Sequence, residues 1–389
     1  MQLTEVKDKR DEELFIRISE SINRENPKYI PLLHQEVKDV FDPSKNKYFR
    51  DGEAIRWILK NDAGECIGRI AAFVYKKYIN KGTSFPTGCF GFFDCINNQE
   101  AANILLDAAK NWLKEKGMEA MDGPVNFGDR DKWWGLMVEG FEQEPIYGMS
   151  FNPSYYQQLL EEYGLKNYYN QYYYLRKVDG DLPPRFPERY AKFAAKPGYA
   201  ARHININNLD KHAQEFATVY NAAWAQHGEA KEITVEQVKK LFNKMKPIMD
   251  ERLIWFAYYK EDPIAMWINI PDLNQYFKHF NGKFGWLEKL RLMWMKKTGQ
   301  CKKFTGVAFG IVPKFQALGI DSFMIYSGAL LMQGKNWYTD YEMGWAGDWN
   351  PKMVNIYKSL GALQSRRMVV YREIFDENKF PFERHPIIE

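Results

Sequence analysis

The chain has 389 residues, 45% apolar and 27% charged, with 54 basic against 50 acidic side chains and a net charge of +4. That length favours two domains, and that balance excludes large-scale disorder and a dedicated nucleic-acid binder. No run approaches the ~18 apolar residues of a membrane span, and the cysteines and histidines show neither CxxC nor HxxxH spacing, so neither a zinc site nor a disulfide framework is expected.

The N-terminus, "MQLTEVKDKRDEELF", alternates charges where an export signal needs a basic start and an apolar run, which predicts a cytoplasmic protein. "GECIGRIAAF" and "GCFGFFDCI" then read as strands, the second feeding a helix whose apolar residues Ile104, Leu105, Ala108, Ala109 and Trp112 recur at helical spacing. "GPVNFGDRDKWWG", from Gly123 to Gly135, is a loop that concentrates polar and aromatic residues, suited either to a small-molecule pocket or to an interdomain contact. "NPSYYQQLLEEYGL" opens on a capping Asn152 and ends at Gly164, a residue suited to a left-handed stop. The aromatic run "NYYNQYYYLRKV" is a closing strand. "DGDLPPRFPERY", from Asp179 to Tyr190, reads as a linker, placing one domain at 1–180 and a second at 181–389.

The second half repeats this order. "EDPIAMWINI" is a strand, "KFTGVAFGIV" a strand feeding the helix "GIDSFMIYSGALLMQGK", and "NPKMVNIYKSLGA" an Asn-Pro helix before the closing strand "SRRMVVYREIF". Gly68 and Ala265 are 197 residues apart, as are Gly164 and Gly361, which predicts a duplicated unit with a mixed α/β sheet. The segment from Asn274 to Lys303 mixes basic and aromatic residues. Within it Leu287, Leu290, Met293 and Trp294 form one helical face, with Lys289, Lys296 and Lys297 elsewhere. Three readings stand: a helix covering the core, an interfacial helix touching lipid or an acyl chain, and an RNA contact.

A helix opening directly after a glycine-bearing turn aims unpaired N–H groups at that turn, which suits a phosphate. "VPKFQALGIDSF", from Val312 to Phe323, has this form, and it resembles the pyrophosphate loop of the GNAT acyltransferase superfamily, with its Gln/Arg-x-x-Gly-x-Gly/Ala pattern. Gln316 and Gly319 match, and Asp321 departs. At about 5 Å and an effective dielectric of about 20, that carboxylate would repel a phosphate charge by roughly 3 kcal/mol if it faced the ligand. The likeness extends over most of the chain to bacterial tandem GNAT-like proteins, through "GRIAAF", "GPVNF", "FNPSYYQQLLEEYG" and "IPDLNQYFKHFNGK".

The resemblance implies an acyl-CoA-dependent N-acyltransferase, in its expected form an acetyltransferase, taking acetyl-CoA or another acyl-CoA and a small-molecule or peptide amine. Its alternatives are a non-catalytic binding protein of the same fold and an aminoacyl transferase that uses charged tRNA. In the resemblance, Gln316, Ala317, Leu318, Gly319, Ile320, Asp321 and Ser322 cradle the pyrophosphate with their amides, Ile311 polarises the acyl carbonyl, and Asn350 is a further cofactor-binding residue. Tyr357, four residues before Gly361, is the implied acid for the thiolate. An amine must also lose a proton, and Glu342 on "YTDYEMGW" is either the base for that step or part of a paired face. The first half lacks both the loop glycine and the tyrosine, so it is expected to be degenerate and without its own cofactor.

Overall fold

The computed structural model describes residues 1–76, 78, 80, 82–224 and 232–387. In the first half, β1 (Gln2–Glu5), α1 (Lys9–Asn23) and α2 (His34–Val40) precede β2 (Gly52–Lys60), β3 (Cys66–Tyr75) and β4 (Thr87–Cys95). They are followed by α3 (Gln99–Glu115), β5 (Ala120–Gly123), β6 (Leu136–Glu139), α4 (Tyr156–Tyr163) and β7 (Lys166–Lys177). The second half opens with α5 (Arg185–Ala194), β8 (Tyr199–His203), α6 (Leu209–Trp224), α7 (Val235–Met245), β9 (Ile254–Tyr259) and β10 (Asp262–Pro271). It continues through α8 (Asn274–Phe277), α9 (Trp286–Lys297), β11 (Lys303–Ile311), α10 (Ile320–Met332), β12 (Asp340–Gly347), α11 (Pro351–Ser359) and β13 (Leu363–Ile374).

All the strands join one sheet in the order β1-β2-β3-β4-β5-β13-β7-β12-β11-β10-β9-β8, with β6 sharing the edge of β13 that β5 occupies. Only β4–β5 and β11–β12 are parallel. The order is a palindrome about the β13–β7 pair, which makes β3 the counterpart of β10, β4 of β11, and α3 of α10. The spacing of 197 residues between Gly68 and Ala265 thus joins equivalent strands.

At the centre of the palindrome the two closing strands are exchanged. β7, which ends the first half, lies against β12, and β13, which ends the second, lies against β5 and β6. Their side chains follow: Val369 and Tyr371 of β13 are buried in the first half's core, and Tyr174 of β7 and Val178, just after it, in the second's. Arg372 reaches from β13 to Asp122 of β5 in a bidentate pair, Nε–Oδ1 2.6 Å and Nη2–Oδ2 2.7 Å, with both residues buried. A divide at residue 180 therefore cuts the chain but not the sheet.

Two local expectations need correction. Asn152 does not cap α4; its Oδ1 accepts from Met137 N–H at 2.8 Å and its amide donates to Met137 C=O, tying the loop to β6. Asn350 does cap α11, accepting from Met353 N–H at 3.2 Å. "RFPERY" is not linker but the start of α5: Pro187 falls in the first turn, where no backbone donor is needed, and Phe186 is wholly buried. Because each half lacks a central strand without the other, residues 1–180 and 181–389 made separately are expected to show no cooperative melt by circular dichroism, whereas the intact chain melts in one transition.

Candidate functional site

In the second half β11 and β12 pair only over Lys303–Thr305, opposite Asp340–Glu342, and then diverge. Beyond that point β11 has a partner on one side, β10, although it lies inside the sheet order. Val307 is 55% exposed, and Ala308 and Phe309 are half-buried, so a wedge is open along the strand. Val312 N–H donates to Ile264 C=O on β10 at 2.9 Å. Alternation in an antiparallel ladder then turns the N–H of Ile311 toward the wedge.

The wedge leads to the turn before α10. Gln316 holds the turn by donating its side-chain amide to Ile311 C=O at 3.0 Å. Ala317 and Gly319 both take positive φ, 59° and 98°. No side chain caps α10. Gly319 is favoured by its positive φ, and a Cβ there would also have to displace the Arg189 side chain, whose Cδ would stand 2.7 Å away. The amides at the start of α10 therefore face the turn with the positive end of the helix behind them.

Asp321 lies beside this turn, and its surroundings explain how a carboxylate is tolerated there. Arg189 on α5 brings Nη1 to 3.9 Å from Asp321 Oδ1 and donates to the buried Ser322 Oγ at 3.3 Å. The guanidinium offsets the acid at a place the sequence motif leaves unexplained.

Tyr357 is buried on α11 with its ring 5.4 Å from that of Tyr174, and burial holds its phenol well above the usual range. Its hydroxyl therefore stays protonated at any ordinary pH, while burial makes it a weaker acid than a free phenol. Glu342 is wholly buried and bound to cations, with Lys303 Nζ at 3.0 Å and the Arg366 guanidinium in direct contact, while Ser365 Oγ donates at 3.1 Å. Burial lowers the Arg366 guanidinium to about 10 and also lowers Lys303. Met343, next to Glu342, joins Tyr357 and Tyr174 in one apolar cluster, so alternation sends Glu342 to the other face of the sheet. The structure thus does not bring Glu342 and Tyr357 together, and Glu342 occupies the paired position that was its other reading.

In the first half the corresponding features are filled. After Gly123 the chain crosses the split, where Val125 N–H donates to Phe90 C=O at 2.8 Å. A Cβ at Gly91 would stand 1.8 Å from Val125 O. Asn98 caps α3, taking Ala101 N–H at 2.8 Å.

Beside this plug lies a feature the sequence reading did not locate, a narrow cavity open to solvent. Its wall runs from β4 across segments 29–33 and 145–152 to Asn274 and Phe277 of α8, with Pro124, Trp133 and Gly135 contributed by the loop singled out as a possible pocket. The wall carries the buried pair Arg69–Asp94, at 2.7 Å, with Tyr156 donating to Asp94 at 3.2 Å, and its other polar groups include Ser19, Glu36, Asn152 and Asn274. Burial raises the Asp94 carboxyl against the pull of Arg69. Behind the lining residue Tyr147, the buried Asp272 accepts from Tyr147 N–H at 2.9 Å and donates its own N–H to Lys303 C=O at 2.9 Å, which ties the cavity wall to the closed end of the wedge. Among the described residues no group of three or more His, Cys, Asp and Glu side chains is placed to hold a metal ion, and no helix is long and apolar enough to cross a membrane.

A mixed sheet in which a pair of parallel strands followed by a helix occurs twice in mirrored strand order, open in the second half and plugged in the first, is the arrangement of the tandem GNAT fold, and the chain has that fold. It matches a tandem GNAT protein from the clavulanic acid biosynthesis pathway with a TM-score of 0.55 at 8% identity, over 96% of this chain and 98% of that one. It also matches the chain of a fungal multi-domain β-N-acetylglucosaminidase that carries a GCN5-related glucosamine N-acetyltransferase region, with a TM-score of 0.55 at 11% identity, over 96% of this chain and 38% of that one. In sequence it is similar to the bacterial ceramide synthase of Caulobacter vibrioides, 26% identical over 370 residues covering 92% of this chain and 94% of that protein. It is 23% identical to protein YghO of Escherichia coli over 375 residues, 94% and 93% of the two chains. No protein-family profile matches.

The buried cations around Glu342 yield a stability prediction. Glu342→Ala leaves Arg366 and Lys303 without their counter-charge and is expected to cost about 3–5 kcal/mol, read from the urea midpoint.

Proposed function

We propose that the protein transfers an acyl group from an acyl-CoA to the amine of a long-chain amino lipid. The observation that carries the reading is the open wedge between β11 and β12 ending at the uncapped start of α10. In this proposal the amides from Ala317 to Ser322 hold the pyrophosphate, the Gln316 N–H being given instead to Pro313 C=O at 3.1 Å, and the pantetheine lies along the wedge beside Val307 and Phe309. The Ile311 N–H donates to the thioester carbonyl, where negative charge develops as the amine attacks. Collapse of the tetrahedral adduct breaks the C–S bond, and Tyr357 gives its proton to the departing thiolate. Asn350, occupied as the cap of α11, borders the site without serving the ligand. Glu342 is left out of the reaction because its oxygens are held by Lys303, Ser365 and Arg366, and the proton of the amine passes to solvent at the open side of the wedge.

Two further observations support a lipid acceptor. The cavity beside the closed end of the wedge is lined chiefly by aliphatic and aromatic side chains. A relative that aligns with 92% of this chain bears the name bacterial ceramide synthase, and a ceramide is an N-acylated long-chain amino alcohol.

Thermal shift measurements with CoA, acetyl-CoA and palmitoyl-CoA test the donor. Binding at 100-fold excess over Kd is expected to raise Tm by about 2–4 °C, and no shift with any of the three overturns the proposal. With palmitoyl-CoA and sphinganine, mass spectrometry is expected to show the amide. Tyr357→Phe should lower kcat about 100-fold with donor affinity nearly unchanged, and an equal rate would return the residue to the core. Arg189→Ala should weaken acyl-CoA binding about tenfold by exposing the ligand to Asp321, and adding Asp321→Asn to that variant should restore it.

A further inference from the structure

The helix α9 is built inside out. Only Leu292 and Met295 are buried, while Trp286, Leu287, Leu290, Met293 and Trp294 form a continuous outward face, each more than half exposed, from 51% for Leu290 to 71% for Trp286. The sequence pattern alone favours turning this face to the core, and the structure turns it to the surface. Nothing about the helix is loosely held. Lys296 Nζ donates to the backbone carbonyls of Pro247 and Met249 at 2.8 and 2.9 Å, Arg291 donates to His279 C=O at 3.1 Å, and Glu288 caps the first turn through Gly285 N–H at 2.8 Å.

Charge is concentrated in the same place. Between Lys283 and Lys297 there are five basic residues and one acid, a net +4 in fifteen residues. The whole chain also carries +4, so the remainder of the protein nets zero. Lys283, Lys289 and Lys297 are exposed around the apolar face, and Phe284 extends it at the N-terminal end.

We propose that α9 docks the protein on the surface of an anionic phospholipid bilayer. The helix lies in the interface plane with its Trp, Leu and Met side chains at the boundary between headgroups and acyl chains, and with the lysines on lipid phosphates. A second copy of the chain is the poorer occupant, because symmetric pairing of this face would set +4 against +4. Nucleic acid fits less well, since Leu287, Leu290 and Met293, between and beside the two tryptophans, offer bases no stacking surface. The inference rests on exposure and charge alone and does not depend on the reaction proposed above.

Co-sedimentation of the full chain with vesicles tests it. Vesicles of phosphatidylcholine containing one quarter phosphatidylglycerol are expected to pellet the protein about tenfold more strongly than pure phosphatidylcholine, with binding weakened at about 0.5 M salt. The double variant Leu290→Glu/Trp294→Glu should lose binding about tenfold at unchanged Tm and elution volume, because neither side chain packs inward. Lys289→Glu/Lys297→Glu should lose the preference for anionic vesicles while leaving the apolar face intact. Absence of vesicle binding, equal binding by both variants, or a dimer that the first variant dissociates would each overturn the proposal.

Discussion

The antiparallel pairing of β7 with β13 is the constraint on which the rest of the molecule depends. It runs from Leu175 opposite Leu363 to Lys166 opposite Arg372, and each strand hands its far edge to the other half of the chain. Two buried arginines on β13 fasten the exchange. Arg372 is clamped on Asp122 of the first half, and Arg366 reaches Glu342 of the second. A buried charge without its partner is strongly unfavourable, so these pairs bias the strand toward the one register in which both are satisfied. The wedge of one half and the cavity of the other are thereby held in a single sheet.

Within that frame the two copies have diverged at corresponding places. In the second, β12 continues along β7 and away from β11, leaving the split open toward an uncapped helix. In the first, the chain after Gly123 turns back into the split and bonds β4, and Asn98 closes the helix start. The inserted loop that plugs the first wedge also forms part of the cavity wall through Trp133 and Gly135. One insertion therefore fills the split of the first half and helps to build a largely apolar cavity, and Asp272 links Tyr147 of that cavity's wall to Lys303 at the closed end of the open wedge.

Much of this was legible from residue patterns. The strands before and after each Asn-Pro segment, the duplication, the Gly319 turn and the exposure of its amides follow from alternation, glycine placement and capping chemistry, all of which act over a few residues. What was not legible involves partners far away in sequence. Asp321 looked like a defect in a phosphate loop because Arg189, which faces it, lies on a segment that reads as linker. Glu342 looked available because Lys303 and Arg366 come from two other strands. The cavity escaped notice because its wall is assembled from several separate stretches of chain, and only the loop from Gly123 to Gly135 carried a local signal of it.

The sequence by itself determined the strands and helices that repeat between the halves, that these halves are copies, and that one of them opens a helix on a glycine turn, since these depend on local backbone preference and periodicity. Only the tertiary structure decided which strand lies beside which. A central strand shows the same apolar pattern whichever half supplies its neighbours, so β7 and β13 carry no mark of their exchange. It also decided that the apolar face of α9 looks outward, because period alone defines a face without saying what covers it.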